Sequence, residues 1–242
     1  MREKNTKRAT KYFIRKIEKN YRLSIVSFNN YKNIFMLNAE VFRNVQQAHK
    51  KILIVTKYWD TTKTENILKE AQKDYCEILF ALGENRIERI QEKNLQREHV
   101  HFIGNIQSRD VVYIVRYCSC IHSLASLKHA HKIEAVWIYI EAFVQVKLDA
   151  NKDIGISESE LGVFLEACKN MKYLKIIGIS GMGSWDFSLQ EKRDEFQKLI
   201  SLRNTYIPYW IISAGTSRDY EMALEQWIDI VRVGEKSMSS LI

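Results

Sequence analysis

Proline is nearly absent from this chain: Pro208 stands alone among 242 residues. Rigidity in the loops must therefore come from packing rather than from fixed φ angles. The four cysteines, Cys76, Cys118, Cys120 and Cys168, show no C-x-x-C spacing, and no secretory leader is evident. That combination favours reduced thiols in a cytoplasmic protein over a disulfide framework. No apolar run approaches the ~18 residues that a membrane-spanning helix needs. Hydrophobic residues nevertheless make up 46% of the chain, so the expectation is a soluble protein with a sizeable core and no membrane span. There is no internal repeat with a period of roughly 20 to 50 residues, and no low-complexity linker marks an internal boundary. One folded domain is the simplest reading of this length.

A net charge is missing from most of the sequence. The total is +8, yet residues 1–32 hold ten basic residues against two acidic ones, and the remainder balances to zero. A neutral body argues against specific nucleic-acid binding, which needs a basic surface on the domain itself. The division expected is a basic extension over residues 1–33 and a folded body over residues 34–242. Tyr12, Phe13 and Ile17, then Tyr21 and Ile25, have helical spacing, so the extension reads as a solvated or self-packing helix. A tether to polyanions or membrane surfaces and an organellar presequence are the alternatives.

What the body does contain is alternation. A helix is predicted around Leu37 to Lys50, and strands near 51–56, 76–80, 100–103, 119–122, 137–146, 174–179, 208–213 and 229–233. Between them lie amphipathic stretches such as Thr64 to Lys73, Arg86 to Asn94, Asp110 to Tyr117, Ser157 to Lys169 and Leu189 to Asn204. Strands that alternate with helices predict a parallel α/β architecture. Eight of them favour closure into a single (β/α)8 TIM barrel, with an open doubly wound sheet as the runner-up. Ser157 with acidic residues just after it predicts one helix start.

Lys57 closes the apolar run Ile52-Leu53-Ile54-Val55-Thr56. An amine at the carboxyl end of a buried strand is placed for Schiff-base chemistry, because desolvation lowers its pKa and frees the lone pair. The plain alternative is a solvated strand terminus. At the other end of the chain, Val231-Arg232-Val233-Gly234-Glu235 is a second short apolar strand that ends in polar groups. Upstream, Ile211-Ile212-Ser213-Ala214-Gly215-Thr216-Ser217 runs into a small-residue turn before the helical stretch Tyr220 to Trp227. Such a turn offers hydroxyls and backbone amides to a phosphate. Barrel closure makes the first and last strands neighbours, and barrels often bind phosphate with the loops after strands 7 and 8.

These segments, together with Gly83-Glu84-Asn85, His101-Phe102-Ile103-Gly104-Asn105-Ile106-Gln107-Ser108 and Ile121-His122-Ser123, resemble the signature segments of the YggS/PROSC pyridoxal phosphate homeostasis proteins. They occur in family order over about residues 36–238. The resemblance implies a barrel of the alanine racemase N-terminal domain type that binds pyridoxal 5′-phosphate (PLP) as an aldimine on Lys57. It places Arg232 at the pyridine nitrogen and Asn85 near the ring. Ser213, Gly215, Ser217, Gly234 and Glu235 fall around the phosphate, and His101, Gln107 and His122 line the pocket. No metal site is assigned; His99 and His101 with a thiol were the candidates.

An arginine only donates and cannot accept from a protonated pyridine nitrogen, so that nitrogen stays unprotonated and the ring becomes a poor electron sink. That suits a monomeric holder of the cofactor in intracellular PLP homeostasis, with PLP-dependent apo-enzymes as candidate recipients, better than a broad catalyst. Alanine racemases carry a second β domain that supplies a catalytic tyrosine, and this chain stops at Ile242, so robust racemase activity is not expected. A PLP-dependent racemase-like enzyme, a Schiff-base barrel enzyme and a partner-binding module acting through the basic extension are the competing readings. Three departures from the family pattern stand out: Glu235 where a threonine is usual, Gly178-Ile179-Ser180-Gly181-Met182-Gly183 after strand 6, and Leu124-Ala125-Ser126 after strand 4.

Overall fold

The computed structural model describes residues 37–148, 154–183 and 187–238; the readings made for residues 1–33 lie outside them. Helix α1 (Ala39–Gln47) leads into β1 (Lys51–Val55). The order continues α2 (Thr61–Asp74), β2 (Leu79–Glu84), α3 (Ile87–Lys93), β3 (Val100–Phe102), α4 (Val111–Tyr117) and β4 (Cys120–Leu124). It then runs α5 (Leu127–Glu134), β5 (Ile140–Val146), α6 (Glu158–Cys168), β6 (Leu174–Gly181), α7 (Leu189–Tyr206), β7 (Ile211–Thr216), α8 (Tyr220–Glu225) and β8 (Ile230–Val233). All eight strands are parallel and close into a barrel in sequence order. β1 pairs with β8, Lys51 opposite Ile230 and Leu53 opposite Arg232, which rules out the open sheet.

Local chemistry starts the helices where the strands release the chain. Asp60 accepts the Lys63 amide at 2.8 Å to begin α2, and Ser157 with Glu160 and Ser188 with Glu191 form capping boxes on α6 and α7, each meeting donors that a helix start leaves open. The strands are short and buried on both faces, as parallel strands under a helical layer must be. Leu53, Ala81, Cys120, Phe143 and Ile230 meet inside the barrel, with Val55, Phe80, Ile103, Ile177 and Ile211 packed against them.

Three strands start three residues later than the sequence reading placed them. β2 starts at Leu79 rather than 76, because the Ile78 and Leu79 amides turn back onto the Tyr75 carbonyl at 3.1 and 2.9 Å. β5 starts at Ile140 because Trp137, just past α5, sits at φ 61°, where a strand cannot pass. β7 starts at Ile211, after a turn closed by the Trp210 amide on the Ile207 carbonyl at 3.0 Å. Helix α5 was not among the predicted stretches. Among the described residues, no helix is long and apolar enough to cross a membrane.

Candidate functional site

The β1 ladder ends where the Thr56 amide donates to the Gly83 carbonyl at 3.0 Å, and the Trp59 amide then closes a turn onto the Thr56 carbonyl at 2.9 Å. Lys57 lies within that turn, half-buried, with Nζ 4.7 Å from the ring centroid of the exposed Tyr58. The strand residues before it, Leu53 and Val55, pack into the barrel interior. Across the seam, Arg232 pairs in register with Leu53 and donates through Nη2 to the Gly181 carbonyl at 2.7 Å. Its side chain makes no ion pair among the described residues. Burial pushes its pKa down to about 10, and Asp219, too far for an ion pair, partly offsets that. A buried guanidinium without a carboxylate is costly and marks a place where an outside acceptor would be favoured.

The loops after β7 and β8 are tied to each other. Gly215 adopts φ +83°, and a Cβ there would stand 2.6 Å from Ala223 Cβ, so only glycine lets the turn pack against α8. Asp219 folds back to accept from the Thr216 amide at 2.6 Å and the Thr216 hydroxyl at 2.9 Å. The Gly234 amide donates to Ser217 Oγ at 3.1 Å, joining the two loops. The Ser237 amide returns to the Gly234 carbonyl at 2.9 Å and shapes the single 3-10 turn Glu235–Ser237. Because α8 has only six residues, the donors of this cup are loop groups rather than a helix terminus. The Glu235 side chain is exposed. Its charge reaches Lys63, whose pKa burial lowers while Asp60 and Glu235 raise it. Lys236 lies 5.7 Å over the Tyr220 ring.

Ser213, expected among the phosphate ligands, lies on β7 at 0% exposure, where its hydroxyl meets His122 Nδ1 at 2.8 Å. His122 Nε2 in turn faces His101 Nδ1 at 3.0 Å. The Ser180 hydroxyl donates to the His122 carbonyl at 2.5 Å, and the His122 ring stacks on Phe143 at 4.3 Å. Burial drives the His101 pKa down to about 3 and that of His122 well below its usual value, so both rings are neutral. With Cys120 they form a cluster whose ligand-capable atoms lie within 4.8 Å of one another. His99, by contrast, faces Gln72 at the surface. Gln107 is exposed rather than lining the interior.

Asn85 follows β2 directly. A Cβ on Gly104 would stand 2.2 Å from the Asn85 carbonyl oxygen, so the glycine allows the loop after β3 to press against it. The sequence reading missed the support behind this point, a fully buried ion pair between Lys93 and Glu84 that also engages Thr56. A signal was present: Ile87, Ile90 and Lys93 share one face of α3, which places a lysine where the pattern calls for an apolar residue. A groove of about 460 Å³ between α6 and the end of α7, lined by Leu165, Met171, Lys175, Tyr206 and Trp210, opens near the amino end of β6 and has no part in this site.

Residues 35–236 match the family model described as alanine racemase, N-terminal domain. A pyridoxal phosphate homeostasis protein of Schizosaccharomyces pombe is 31% identical over 177 residues, 65% of this chain and 73% of that protein. One from Caenorhabditis elegans is 28% identical over 218 residues, 78% and 86% of the two chains. Among solved structures, PipY of Synechococcus elongatus PCC7942 with PLP bound superposes with a TM-score of 0.67 at 18% identity, over 82% of this chain and all of that one.

Proposed function

This chain belongs to the family of the alanine racemase N-terminal domain, and we propose that it binds pyridoxal 5′-phosphate and serves in intracellular PLP homeostasis. The observation that carries this reading is the meeting of three features at the carboxyl ends of β1, β7 and β8. These are the half-buried Lys57 amine, the buried Arg232 guanidinium with no ion pair among the described residues, and the Ser217–Gly234 junction. They match the three parts of the cofactor in turn: aldehyde, ring nitrogen and phosphate. When bound, PLP would supply an electrophilic aldehyde carbon, and Lys57 would be the amine that holds it.

The remaining roles follow from what each residue offers. Arg232 donates to the pyridine nitrogen and leaves it without a proton, which keeps the ring a weak electron sink. Ser217 and the Gly234 amide turn from each other to the phosphate, with Gly215 giving the turn its shape. Asn85 borders the ring. Glu235 contributes its amide while its side chain stays outside. This is the chemistry of a carrier that holds a reactive aldehyde for PLP-dependent apo-enzymes, in a cytoplasmic setting. Residues 34–242 would suffice for it as a monomer.

Borohydride reduction of the PLP-incubated protein, followed by peptide mass mapping, tests the assignment. A pyridoxyl adduct on Lys57 supports it, and an adduct on another lysine, or none, removes it. Incubation with each common amino acid separates a holder from an enzyme. Racemisation or transamination approaching the typical enzyme turnover of ~10 s⁻¹, lost in Lys57→Ala, would decide for an enzyme.

A further inference from the structure

The cluster of Thr56, Glu84 and Lys93 has no part in the chemistry assigned so far, yet it lies directly behind it. The Lys93 and Glu84 side chains are 1% and 0% exposed and form an ion pair between Nζ and Oε1. Lys93 Nζ also donates to the Thr56 carbonyl at 2.7 Å, and the Thr56 hydroxyl donates to the same carboxylate oxygen at 2.5 Å. Thr56 precedes Lys57, and Glu84 precedes Asn85. We infer that the Glu84–Lys93 pair is a positioning device that fixes the backbone presenting Lys57 and Asn85 at the barrel mouth. This inference rests on the reading of Lys57 as the amine that bonds the cofactor.

Stability alone does not account for such a pair. Buried ion pairs are often no better than well-packed apolar residues, because desolvation cancels the attraction. Here the cost is higher still, since Glu84 Oε2 is buried without a hydrogen-bond partner among the described residues. What the pair does supply is direction. The sheet ladder stops at Thr56 and Glu84, whose last contacts are the Thr56 amide to the Gly83 carbonyl at 3.0 Å and the Ile103 amide to the Glu84 carbonyl at 2.8 Å. Beyond those points nothing in the ladder orients the chain.

Lys93 takes over at that boundary. The Thr56 carbonyl that it holds is the one that closes the Lys57 turn through the Trp59 amide at 2.9 Å. One ammonium therefore ties the turn after β1 to the end of β2. It is itself fixed as the last residue of α3, where Asn94 at φ 45° caps the helix through its amide to the Ile90 carbonyl. Thr56 alternates with the inward Leu53 and Val55, so this support sits on the outer face of the strands and stays clear of the barrel interior. A reactive group whose backbone is held from behind keeps its geometry as ligands come and go.

The test compares wild type, Lys93→Met and the double variant Glu84→Gln with Lys93→Met. The single variant strands a buried carboxylate and should lose stability. The double variant removes that charge and should regain it. Two measurements on the folded double variant then read positioning. Amide hydrogen exchange at residues 56–60 and 84–86 should quicken at least several-fold while the β5–β6 amides stay unchanged. The rate of covalent PLP capture should fall about tenfold, with the affinity for pyridoxine 5′-phosphate, which has the phosphate but no aldehyde, unaltered. A stable double variant with wild-type exchange and capture rates overturns the inference. If the double variant cannot be folded, Glu84→Asp, which keeps both charges and shortens the carboxylate's reach, decides, and wild-type exchange at residues 56–60 and 84–86 in it refutes local positioning. If wild type captures no PLP, the proposed function fails, and the exchange experiment still judges the Glu84–Lys93 pair on its own.

Discussion

At the floor of the barrel interior, His101, His122 and Ser213 are joined in a buried hydrogen-bonded chain. At the rim, Lys57 and Arg232 are cations held in place without an ion pair among the described residues, and the Ser217–Gly234 contact is a partly exposed junction between two loops. Both regions are polar and both were marked by the sequence, but they differ in what they leave over. The floor is neutral and its members bond one another, which is how polar groups survive in a core. The rim retains charge and donors, which is how a pocket recognises an anionic, electrophilic ligand. A polar residue inside a barrel is thus a site residue only when the surrounding chain has not already satisfied it.

The largest contrast should come from deleting one amine. Lys57→Ala is expected to abolish covalent PLP capture, read as loss of the visible absorbance of the bound cofactor and of the reducible adduct. Ser213→Ala, although on the strand that leads into the cup, should retain both. Capture lost equally in the two variants would mean that the floor belongs to the site after all.

Acid should break the floor before the rim. His101 titrates near 6.5 when unfolded and at about 3 in the folded barrel, so between those values the unfolded chain binds more protons and stability rises with pH. Its contribution is complete above about pH 6.5 and shrinks as pH falls; at pH 5 the loss from this one ring is about 2 kcal/mol. His122 shifts in the same direction and deepens the loss. Urea unfolding from pH 7.5 to pH 4.5 measures it, and His101→Gln should flatten the slope. A flat profile in the wild type would mean that the rings protonate within the fold.

The cup offers a smaller handle. Ser217→Ala removes one hydroxyl that would meet a charged phosphate, an interaction of roughly 1.5–3 kcal/mol, so PLP affinity should fall about tenfold or more. Stability should barely change, because among the described residues the half-buried hydroxyl accepts only from the Gly234 amide. Affinity unchanged by the substitution would move the phosphate elsewhere.

The alternation of strands and helices was legible because apolar runs and amphipathic stretches report burial directly, and the eight-strand count then made closure the economical solution. Boundaries were less so. Trp137 takes a left-handed φ that its side chain does nothing to advertise, and the apolar residues around it read as strand. Lys57, Arg232, Gly215, Ser217 and Gly234 stood out as candidates because they sit where strands become loops. The contact that Ser213 makes was not legible, since its partner His122 stands 91 positions away. Glu84 and Lys93 were invisible as a pair for a related reason: a lysine at an apolar helix position is a signal, but its partner is chosen by the strand beneath.

Glu235 is where rim and surface meet, and the effect expected there is the smallest. Two like charges at ~4 Å repel by about 1 kcal/mol in water and ~4 kcal/mol at an effective dielectric near 20. The side chain is exposed, so the lower figure applies to its repulsion of a phosphate held at Gly234. It also has a second task, because its charge supports the Lys63 ammonium against the burial that lowers that pKa. Replacing it relieves one unfavourable contact and removes one favourable one. Glu235→Thr should therefore tighten PLP by no more than about threefold at low ionic strength, and by almost nothing once salt shortens the Debye length to ~8 Å. The Lys63 pKa should drop further in the same variant, measurable by NMR of the labelled side chain. Tenfold tightening would show the carboxylate facing the phosphate directly. Unchanged binding together with an unmoved Lys63 would mean that Glu235 spends its charge on solvent alone.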